Sequence, residues 1–377
     1  MIKKTNTVIC ILSLCLLLNG CWDYKDLNRR SILLSVGVDE VNDEVIFTGE
    51  IAKLFTSGKG QKTMADITDV YTFKSKGKFF EDARNDLENT IPLTNFSSAV
   101  RTITFSKGFA EKGIEQYLNR VFFLSQFRSS ILITIFDSDI ENLFSGEIIN
   151  DIAVGYAIED TIKKLNEDGN TLYKTVQQIQ SDIHFKSIGY LLPYISRKGG
   201  TIEYLGLAAM KDSKLIGIIK GSESNGFLYI LAKKPIVDMV VQIPSDKYNY
   251  YSMTNTLKKR KIRTYYKDGK VNIDIDLKFN SQLQYQYKLE NLNKQDKKKI
   301  EKEVSDKIKK SVKSALEKSQ KEFQCDVFGF ARHFKGKYPN VYKELNWEKA
   351  YSEAVFNVNV DTTLVNTRLL NVVGEKK

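Results

Sequence analysis

Apolar and polar residues alternate most regularly near the C-terminal end of the chain. Every second residue of Val271–Phe279 is apolar, and the residues between are polar or charged. Because successive side chains of a strand point to opposite faces, this pattern predicts a strand with one buried and one solvated face. Asp268-Gly269 before it suits a tight hairpin turn, since glycine tolerates positive φ, and Ile262–Tyr266 supplies the partner strand. A second alternating strand is predicted over Phe356–Leu364.

A helical period replaces this alternation between about Lys294 and Phe323. Asn293 can cap the helix, and Asp296 lies in its first turn. One apolar stripe recurs at helical spacing, namely Ile300, Val304, Ile308, Val312, Ala315 and Phe323. Between residues 294 and 321 there are 11 lysines and 5 acidic residues, so the remaining face is strongly basic. We favour a solvated outer face over a lipid-binding one, because three i,i+4 pairs support it: Glu303/Lys307, Asp306/Lys310 and Glu317/Lys321.

The rest of the chain mixes short strands with helices. Strands or extended segments are predicted at Ser31–Val38, Glu44–Ala52, Val70–Ser75, Ala99–Phe105, Ser130–Phe136, Gly189–Ile195, Ile202–Met210, Leu215–Ile219 and Ile236–Ile243. Helices are predicted at Phe79–Ile91, Ile114–Leu124, Ile140–Phe144, Ile148–Leu165, Leu172–Ile179, Ser222–Ala232 and Val341–Tyr351. The fold class is therefore α+β, with mixed or antiparallel sheets flanked by helices and one long amphipathic helix in the C-terminal half.

The N-terminus has the layout of a bacterial export signal. Lys3 and Lys4 precede an apolar run of 11 residues from Val8 to Leu18. Secretory signals contain roughly 7–15 apolar residues in this position, whereas a membrane-spanning helix needs about 20. The run is too short to remain as a spanning anchor. No later stretch of the sequence is long and apolar enough to span a bilayer either.

The four residues Leu18-Asn19-Gly20-Cys21 resemble the lipobox of bacterial lipoproteins. In such signals the cysteine thiol receives diacylglycerol, the chain is cut before the cysteine, and the new amino group can be acylated, for example with palmitate. Asn19 departs from the usual small residue at its position. We therefore expect residues 1–20 to be a signal peptide and Cys21 to be lipidated, which gives stable anchoring when two acyl chains are present. The alternative is a plain signal peptide followed by an ordinary cysteine.

Length and charge suggest further features of the mature chain. We predict an N-terminal α+β domain over residues 21–198, with a potential subdivision near 137, and a C-terminal α+β domain over residues 201–377. Arg197-Lys198-Gly199-Gly200 is the linker between them. The net charge is +11, or +9 without Lys3 and Lys4. Export argues against nucleic acid as a partner, and a surface of anionic lipid is the better match.

Candidate catalytic and metal-binding motifs are incomplete. The two histidines, His184 and His333, are far apart and form no metal-binding spacing. Two glycine pairs have phosphate-loop spacing, but Ile114 and Phe227 stand where the lysine is needed. The lone Cys325 is expected to be a small core residue rather than a nucleophile. We therefore expect no enzyme activity, no metal and no cofactor.

Two groups of residues resemble the Ger(x)C family of spore germination lipoproteins. The mature start resembles the family's, in Cys21-Trp22-Asp23-Tyr24-Lys25-Asp26-Leu27-Asn28 followed by Ser31–Val38 and Asp39. The C-terminal half resembles it in Asp326-Val327-Phe328-Gly329-Phe330-Ala331, Lys337-Tyr338-Pro339, Trp347 and Asn357-Val358-Asn359-Val360. The resemblance covers essentially the whole mature chain, and it departs from the family mainly at Asn19 and at Ala331-Arg332-His333.

The resemblance implies the C subunit of a nutrient germinant receptor in an endospore-forming bacterium. Such a subunit is lipid-anchored on the exported face of the inner spore membrane and works with integral A- and B-type membrane subunits. The family has no established catalytic residues, so only the lipidated Cys21 is carried over. Two other hypotheses remain, a lipid-anchored solute-binding protein of a transporter and a lipid-anchored hydrolase. The first would show repeated βα units in two lobes, and the second a nucleophile paired with a base.

Overall fold

A computed structural model describes residues 30–54, 67–243, 248–288 and 292–366. Within these ranges the chain forms one nine-stranded sheet and one four-stranded sheet. Helices cover both faces of the larger sheet, and one long helix packs against the smaller. The predicted α+β class, with helix-flanked mixed sheets and one long C-terminal helix, is confirmed.

The first sheet follows the order β3-β2-β1-β5-β6-β7-β8-β9, and β4 pairs with the start of β1. Its strands are β1 (Arg30–Val41), β2 (Glu44–Leu54), β3 (Ile67–Gly77), β4 (Thr94–Phe96), β5 (Thr102–Ser106), β6 (Leu132–Phe136), β7 (Tyr190–Lys198), β8 (Thr201–Lys211) and β9 (Lys214–Lys220). The central pairs β1–β5, β5–β6 and β6–β7 are parallel, while both sides of the sheet are antiparallel.

Helices lie on both faces of this sheet. They are α1 (Phe80–Thr90), α2 (Lys107–Lys112), α3 (Glu115–Phe123), α4 (Ile140–Leu143), α5 (Val154–Glu167) and α6 (Val176–Phe185). Along β6, Ile133 and Ile135 pack into one cluster with α1, α2, α3 and α6, whereas Leu132 and Phe136 pack into another with α4 and α5. All five residues of β6 are therefore buried, which explains why four of the five are apolar.

The second sheet has the order β10-β11-β12-β13. Its strands are β10 (Ile236–Val241), β11 (Tyr251–Lys267), β12 (Lys270–Gln286) and β13 (Val355–Asn366). The remaining helices are α7 (Ser224–Leu231), α8 (Lys294–Lys321), α9 (Phe330–Lys337), α10 (Pro339–Glu344) and α11 (Trp347–Ser352). The alternating residues of Val271–Phe279 that were predicted to be buried are at most 1% exposed. Asp268 and Gly269 both have positive φ, as the tight turn requires.

Helix α8 matches its prediction closely. The Asn293 side chain accepts hydrogen bonds from the amides of Gln295 and Asp296. The predicted apolar stripe is buried along its length. Of the predicted ion pairs, Glu317–Lys321 is present, whereas the Lys307 ammonium instead donates to the Val240 carbonyl at 2.6 Å. The helix is thus fixed by apolar contacts on one side and carries an exposed charged face on the other.

Several elements differ from their predictions. Helix α5 begins at Val154, not at Ile148, and α6 begins at Val176, not at Leu172. The helix predicted over Val341–Tyr351 is two helices, α10 and α11, and the sequence patterns missed α2 and α9. The division into two domains near residues 199–200 stays a prediction. Strands β8 and β9 follow this point in the sequence, and they extend the first sheet by pairing through β7.

Candidate functional site: buried carboxylates, a junction and two clefts

Cys21, the predicted lipidation site, lies outside the described residues, as do residues 1–20, the predicted signal peptide, and residues 22–29. Lipidation of Cys21 therefore stays a prediction. The described residues that combine charge with burial are instead four carboxylates, Asp39, Glu50, Asp182 and Asp326. None of the four was singled out from the sequence as a buried charge.

Glu50 lies in the middle of β2 and is 3% exposed. Its Oε1 accepts a hydrogen bond from the Val154 amide at 2.7 Å, and its Oε2 accepts from the Gly155 amide at 3.1 Å and the Ser35 hydroxyl at 2.8 Å. Burial raises the pKa of Glu50, and these donors offset part of that increase. Since the first amides of a helix have no partner within the helix, Glu50 fixes the start of α5 against the sheet.

Asp39 plays the matching part for α4. Its Oδ2 accepts from the Ile140 amide at 3.0 Å, and its Oδ1 accepts from the Ser106 hydroxyl and from the Glu40 amide. The carboxylate thereby joins the end of β1 to the end of β5 and to the first residue of α4. Both carboxylates on this sheet hold helices in place through backbone amides.

Asp326 precedes α9 and is 2% exposed. Its carboxylate accepts from the amides of Phe330 and Ala331, and from the indole nitrogen of Trp347 at 3.2 Å. Burial raises the pKa of Asp326 to about 6, despite these donors. Gly329 has φ +74°, a conformation that favours glycine and lets the chain turn back towards the carboxylate.

A carboxylate with a pKa near neutrality beside a cysteine is a pattern found in some catalytic sites. Here burial also raises the pKa of the Cys325 thiol, to about 12, and Cys325 is 5% exposed. The cavity beside both residues has a volume of only about 10 Å³, roughly enough for one water molecule. Cys325 is a buried core residue, as predicted, and this site has no room for a substrate.

The same region joins the two sheets. The Gly189 amide donates to the Asp326 carbonyl at 3.1 Å. A Cβ at Gly189 would lie 2.4 Å from the Met210 carbonyl oxygen and 2.7 Å from the Cys325 sulfur, so only glycine allows this close approach. One core cluster continues across the junction, with Leu191, Leu207, Ala209 and Ile219 of the first sheet packed among residues of the second.

A buried ion pair adds to this junction. The Asp182 side chain of α6 is 4% exposed and contacts the Lys174 ammonium at 2.7 Å and the Arg332 guanidinium of α9 at 2.8 Å. The guanidinium also lies over the Phe185 ring, 5.2 Å from its centre. The contacts at Asp182 and Asp326 therefore fix α9 relative to the first sheet.

Two open clefts lie on the α1 side of the first sheet. One of about 320 Å³ has the apolar residues Leu87, Leu124 and Phe127 in its walls and the charged Arg84 and Arg120 in its lining. Arg120 is paired with Glu81 at 2.6 Å and is largely buried. The other, of about 450 Å³, lies between α1, α2 and the β8–β9 turn, and it is lined by Lys78, Lys112 and Lys214 among others. Neither brings a nucleophile and a base together.

Metal and membrane features complete the description of the site. Among the residues that the structure describes, no group of three or more metal-ligating side chains is close enough to hold an ion. No helix in the same ranges has the length and apolar character needed to cross a membrane. The sequence could have indicated Glu50, because it is the one charged residue of Val45–Ala52, and Asp39, because it ends the uncharged stretch Ser31–Val38. Asp326 offered no such pattern.

Comparison with known families accounts for nearly all of the described chain. The family described as "Spore germination protein N-terminal domain" matches residues 23–197, and the one described as "Spore germination B3/ GerAC like, C-terminal" matches residues 205–368. The chain belongs to the Ger(x)C family of spore germination proteins. The predicted family membership is therefore confirmed.

Individual Ger(x)C relatives are distant but match along their whole length. Spore germination protein A3 of Bacillus subtilis (strain 168) is 24% identical over 387 residues, which cover 94% of this chain and 96% of that protein. Spore germination protein B3 of the same organism is 21% identical, with 94% and 95% coverage. The crystal structure of the GerBC protein superimposes with a TM-score of 0.55 at 18% identity and covers 88% of this chain and 97% of that chain. The GerBC likeness shows a shared fold.

Proposed function

We propose that this protein is the lipid-anchored C subunit of a spore germinant receptor, needed for germination in response to nutrients. The observation that carries the proposal is the match of two consecutive spore germination families to residues 23–197 and 205–368. The names of the relatives, spore germination proteins A3 and B3, support the same process.

The proposed mode of action is assembly rather than chemistry. Asp39, Glu50 and Asp326 accept hydrogen bonds from backbone amides at helix starts, so each has a bonding role in the fold. The junction around Asp326 and Asp182 fixes the second sheet to the first, which gives partners a rigid surface to bind. The partners are the integral A- and B-type receptor subunits.

The lipid anchor at Cys21 supports assembly by raising the local concentration of the protein at the membrane. A tether that holds the folded body at the membrane makes weak contacts with membrane subunits effectively intramolecular. Two acyl chains are enough for stable anchoring, whereas one is marginal. The protein would then lie on the exported face of the cell membrane and, in the spore, of the inner membrane.

Deletion of the gene tests the receptor role. Spores without the protein should fail to respond to one set of nutrients and should still germinate with a stimulus that bypasses the receptors. A deletion strain that answers every nutrient like its parent would overturn the receptor role. Turnover of a peptidoglycan or ester substrate by the purified protein would overturn the assembly role.

Mass spectrometry of the membrane fraction tests the anchor separately. We expect the mature protein to begin at a diacylated Cys21, with residues 1–20 removed. A Cys21→Ala variant should be lost from the membrane and partly defective in germination, and overexpression should compensate in part. Equal membrane retention of this variant, cleaved at the same site, would contradict lipidation.

A further inference from the structure

Exposed apolar side chains cluster at the end of the first sheet where the chain enters it. Phe123 is 81% exposed, Phe122 is 48% exposed and Leu93 is 41% exposed. The two phenylalanine rings contact each other edge to face with their centres 5.7 Å apart. We refer to Leu93, Phe122 and Phe123 together as the phenylalanine face. Exposed apolar groups of this size on neighbouring segments mark interaction sites more often than isolated ones do.

Backbone contacts bring these residues to one place. Leu93 directly precedes β4, and Phe123 ends α3. The Ser98 hydroxyl, just after β4, donates to the Gln126 carbonyl, just after α3, at 2.7 Å. Thr94 and Leu124, the residues next to Leu93 and Phe123, also line the same cleft. The segments on either side of the phenylalanine face are therefore packed together.

This end of the sheet is also where the predicted anchor attaches. Strand β4 pairs with β1 in parallel, with Arg30 opposite Thr94. Arg30 is thus adjacent to the residue that follows Leu93. Eight residues separate Cys21 from Arg30 in the sequence. A fully extended chain of that length spans at most about 30 Å, at roughly 3.3–3.6 Å per residue.

That reach is short compared with the folded body. A compact chain of this length has a radius of gyration of about 20 Å and is roughly 50 Å across. A lipid at Cys21 therefore keeps the Arg30 end of the first sheet within reach of the bilayer. Two arginines at this end, Arg30 and Arg128, suit a surface of anionic lipid, and Arg128 is held there by donating to the Val100 carbonyl at 3.3 Å.

We propose that the phenylalanine face docks on the surface of the lipid bilayer and sets the orientation of the folded body on the membrane. The proposal rests on the anchor at Cys21 in the proposed function, and adds a second, non-covalent membrane contact. Phe122 and Phe123 enter the boundary between headgroups and acyl chains, where aromatic rings are favoured.

Fluorescence quenching in vesicles tests this orientation. The lipidated protein is reconstituted into vesicles of phosphatidylglycerol and phosphatidylcholine with brominated acyl chains. Both probes are placed in a Trp22→Phe background, because Trp22 is next to the anchor. Phe123→Trp reports on the phenylalanine face. Phe79→Trp is the matched control, since Phe79 is 64% exposed and lies at the opposite end of α1 from Leu93.

We expect the Phe123→Trp probe to lose roughly half of its emission in brominated vesicles, because interfacial apolar faces enter about 5–10 Å into the boundary region. The Phe79→Trp probe should keep its emission. An equal loss of emission from the two probes, or no loss from either, would overturn the proposal. If Phe123→Trp became shielded from solvent only when membrane subunits or a second copy of the chain were present, the proposal would also be overturned, in favour of a protein partner.

A second measurement separates this proposal from the anchor. In a Cys21→Ala background, Phe122→Ser/Phe123→Ser should lower partition onto anionic vesicles about tenfold or more, since two exposed rings lose their burial in lipid. Phe79→Ser should leave it unchanged. If the parent protein is lipidated at Cys21 but the double serine variant partitions onto vesicles as before, only the membrane contact of the phenylalanine face is overturned. If the parent protein is not lipidated but the double variant shows the tenfold loss, only the anchor is overturned.

Discussion

In the first sheet β6 is buried along its whole length, whereas in the second sheet β12 buries every second side chain over Val271–Phe279. Helices α1–α3 and α6 cover one face of the first sheet, and α4 and α5 cover the other. The second sheet packs one face against α8, and its other face carries a polar ladder that includes Asp274 and Asn357. The two sheets therefore need different means of holding their helices.

In the first sheet, buried charged side chains help to hold the helices. Glu50 and Asp39 lie on inner strands and reach the starting amides of α5 and α4. In the second sheet, the stripe of α8 packs in one core cluster with the buried residues of β12, and hydrogen bonds such as those of Lys307 with Val240 and Glu301 with Leu364 add to this apolar contact. A buried carboxylate is costly unless all its hydrogen bonds are made. Placement of α4 and α5 on the first sheet thus depends on buried carboxylates as well as on packing, and placement of α8 depends mainly on apolar packing with added hydrogen bonds.

The largest effect is expected from placing a charge in the second core. Ile275→Asp puts an unpaired carboxylate at a position that is 0% exposed, and should lower the free energy of unfolding by about 5 kcal/mol. Gln284→Asp introduces the same residue at an exposed position of the same strand and should change little. Urea denaturation of both variants measures the difference, and similar losses would refute the assigned faces of β12.

Removing a carboxylate should be almost as costly in the first sheet. Glu50→Ala leaves two helix amides and the Ser35 hydroxyl without their acceptor, and should cost about 4 kcal/mol at roughly 1–3 kcal/mol per donor. Glu44→Ala on the same strand breaks only a half-exposed ion pair with Lys76 and serves as the control. If both variants melted alike, the proposed role of Glu50 in fixing α5 would be wrong.

The carboxylate at the junction predicts a dependence on pH. The pKa of Asp326 is about 6 in the folded protein, above its value of about 3.9 in an unfolded chain, so the folded state binds this proton more tightly. The contribution of Asp326 to the free energy of unfolding is therefore complete below about pH 4. It is lost as the pH rises to about 6, by roughly 3 kcal/mol in total.

Comparison with Asp326→Asn isolates this contribution. Relative to the variant, the parent protein should gain stability as pH falls from 7 to 4, because asparagine does not titrate. A constant difference between parent and Asp326→Asn across this range would contradict the raised pKa.

The smallest effect is expected on the charged face of α8. Lys310 and Lys313 are exposed, so Lys310→Gln/Lys313→Gln should leave the melting temperature unchanged within experimental scatter. Their removal should also leave binding to anionic vesicles unchanged, since we favour a solvated face. A clear loss of vesicle binding would instead assign the lysine face to lipid.

The contrast between the sheets also explains what the sequence could predict. The alternation of Val271–Phe279 and the stripe of α8 are local patterns, and both match the structure. The start of α5 is not local, because Glu50 lies 104 residues away from Val154. The apolar residues Ile148 and Ile152 extended the helical period into what is a loop, and nothing nearby indicates that the helix begins later.

The candidate site was less predictable than the fold for the same reason. Cys325 could be assigned to the core because Phe323 and Val327, two positions away on either side, are apolar. The burial of Asp326 depends on Trp347, on the turn at Gly329 and on Gly189 from the first sheet, which no local pattern brings together. The start of β11 was missed because its polar residues, such as Asn255, are buried through hydrogen bonds to other strands.

The parallel pairing of β12 with β13 has a consequence for the order of folding. The β11–β12 hairpin joins neighbouring residues across the Asp268-Gly269 turn, but Ile275 pairs with Val358, 83 residues further along the chain. Pairings between distant residues form late, because a long loop must close before they contribute stability. We therefore expect the hairpin to form with one bare edge. Until β13 pairs with β12, that edge stays open to other chains.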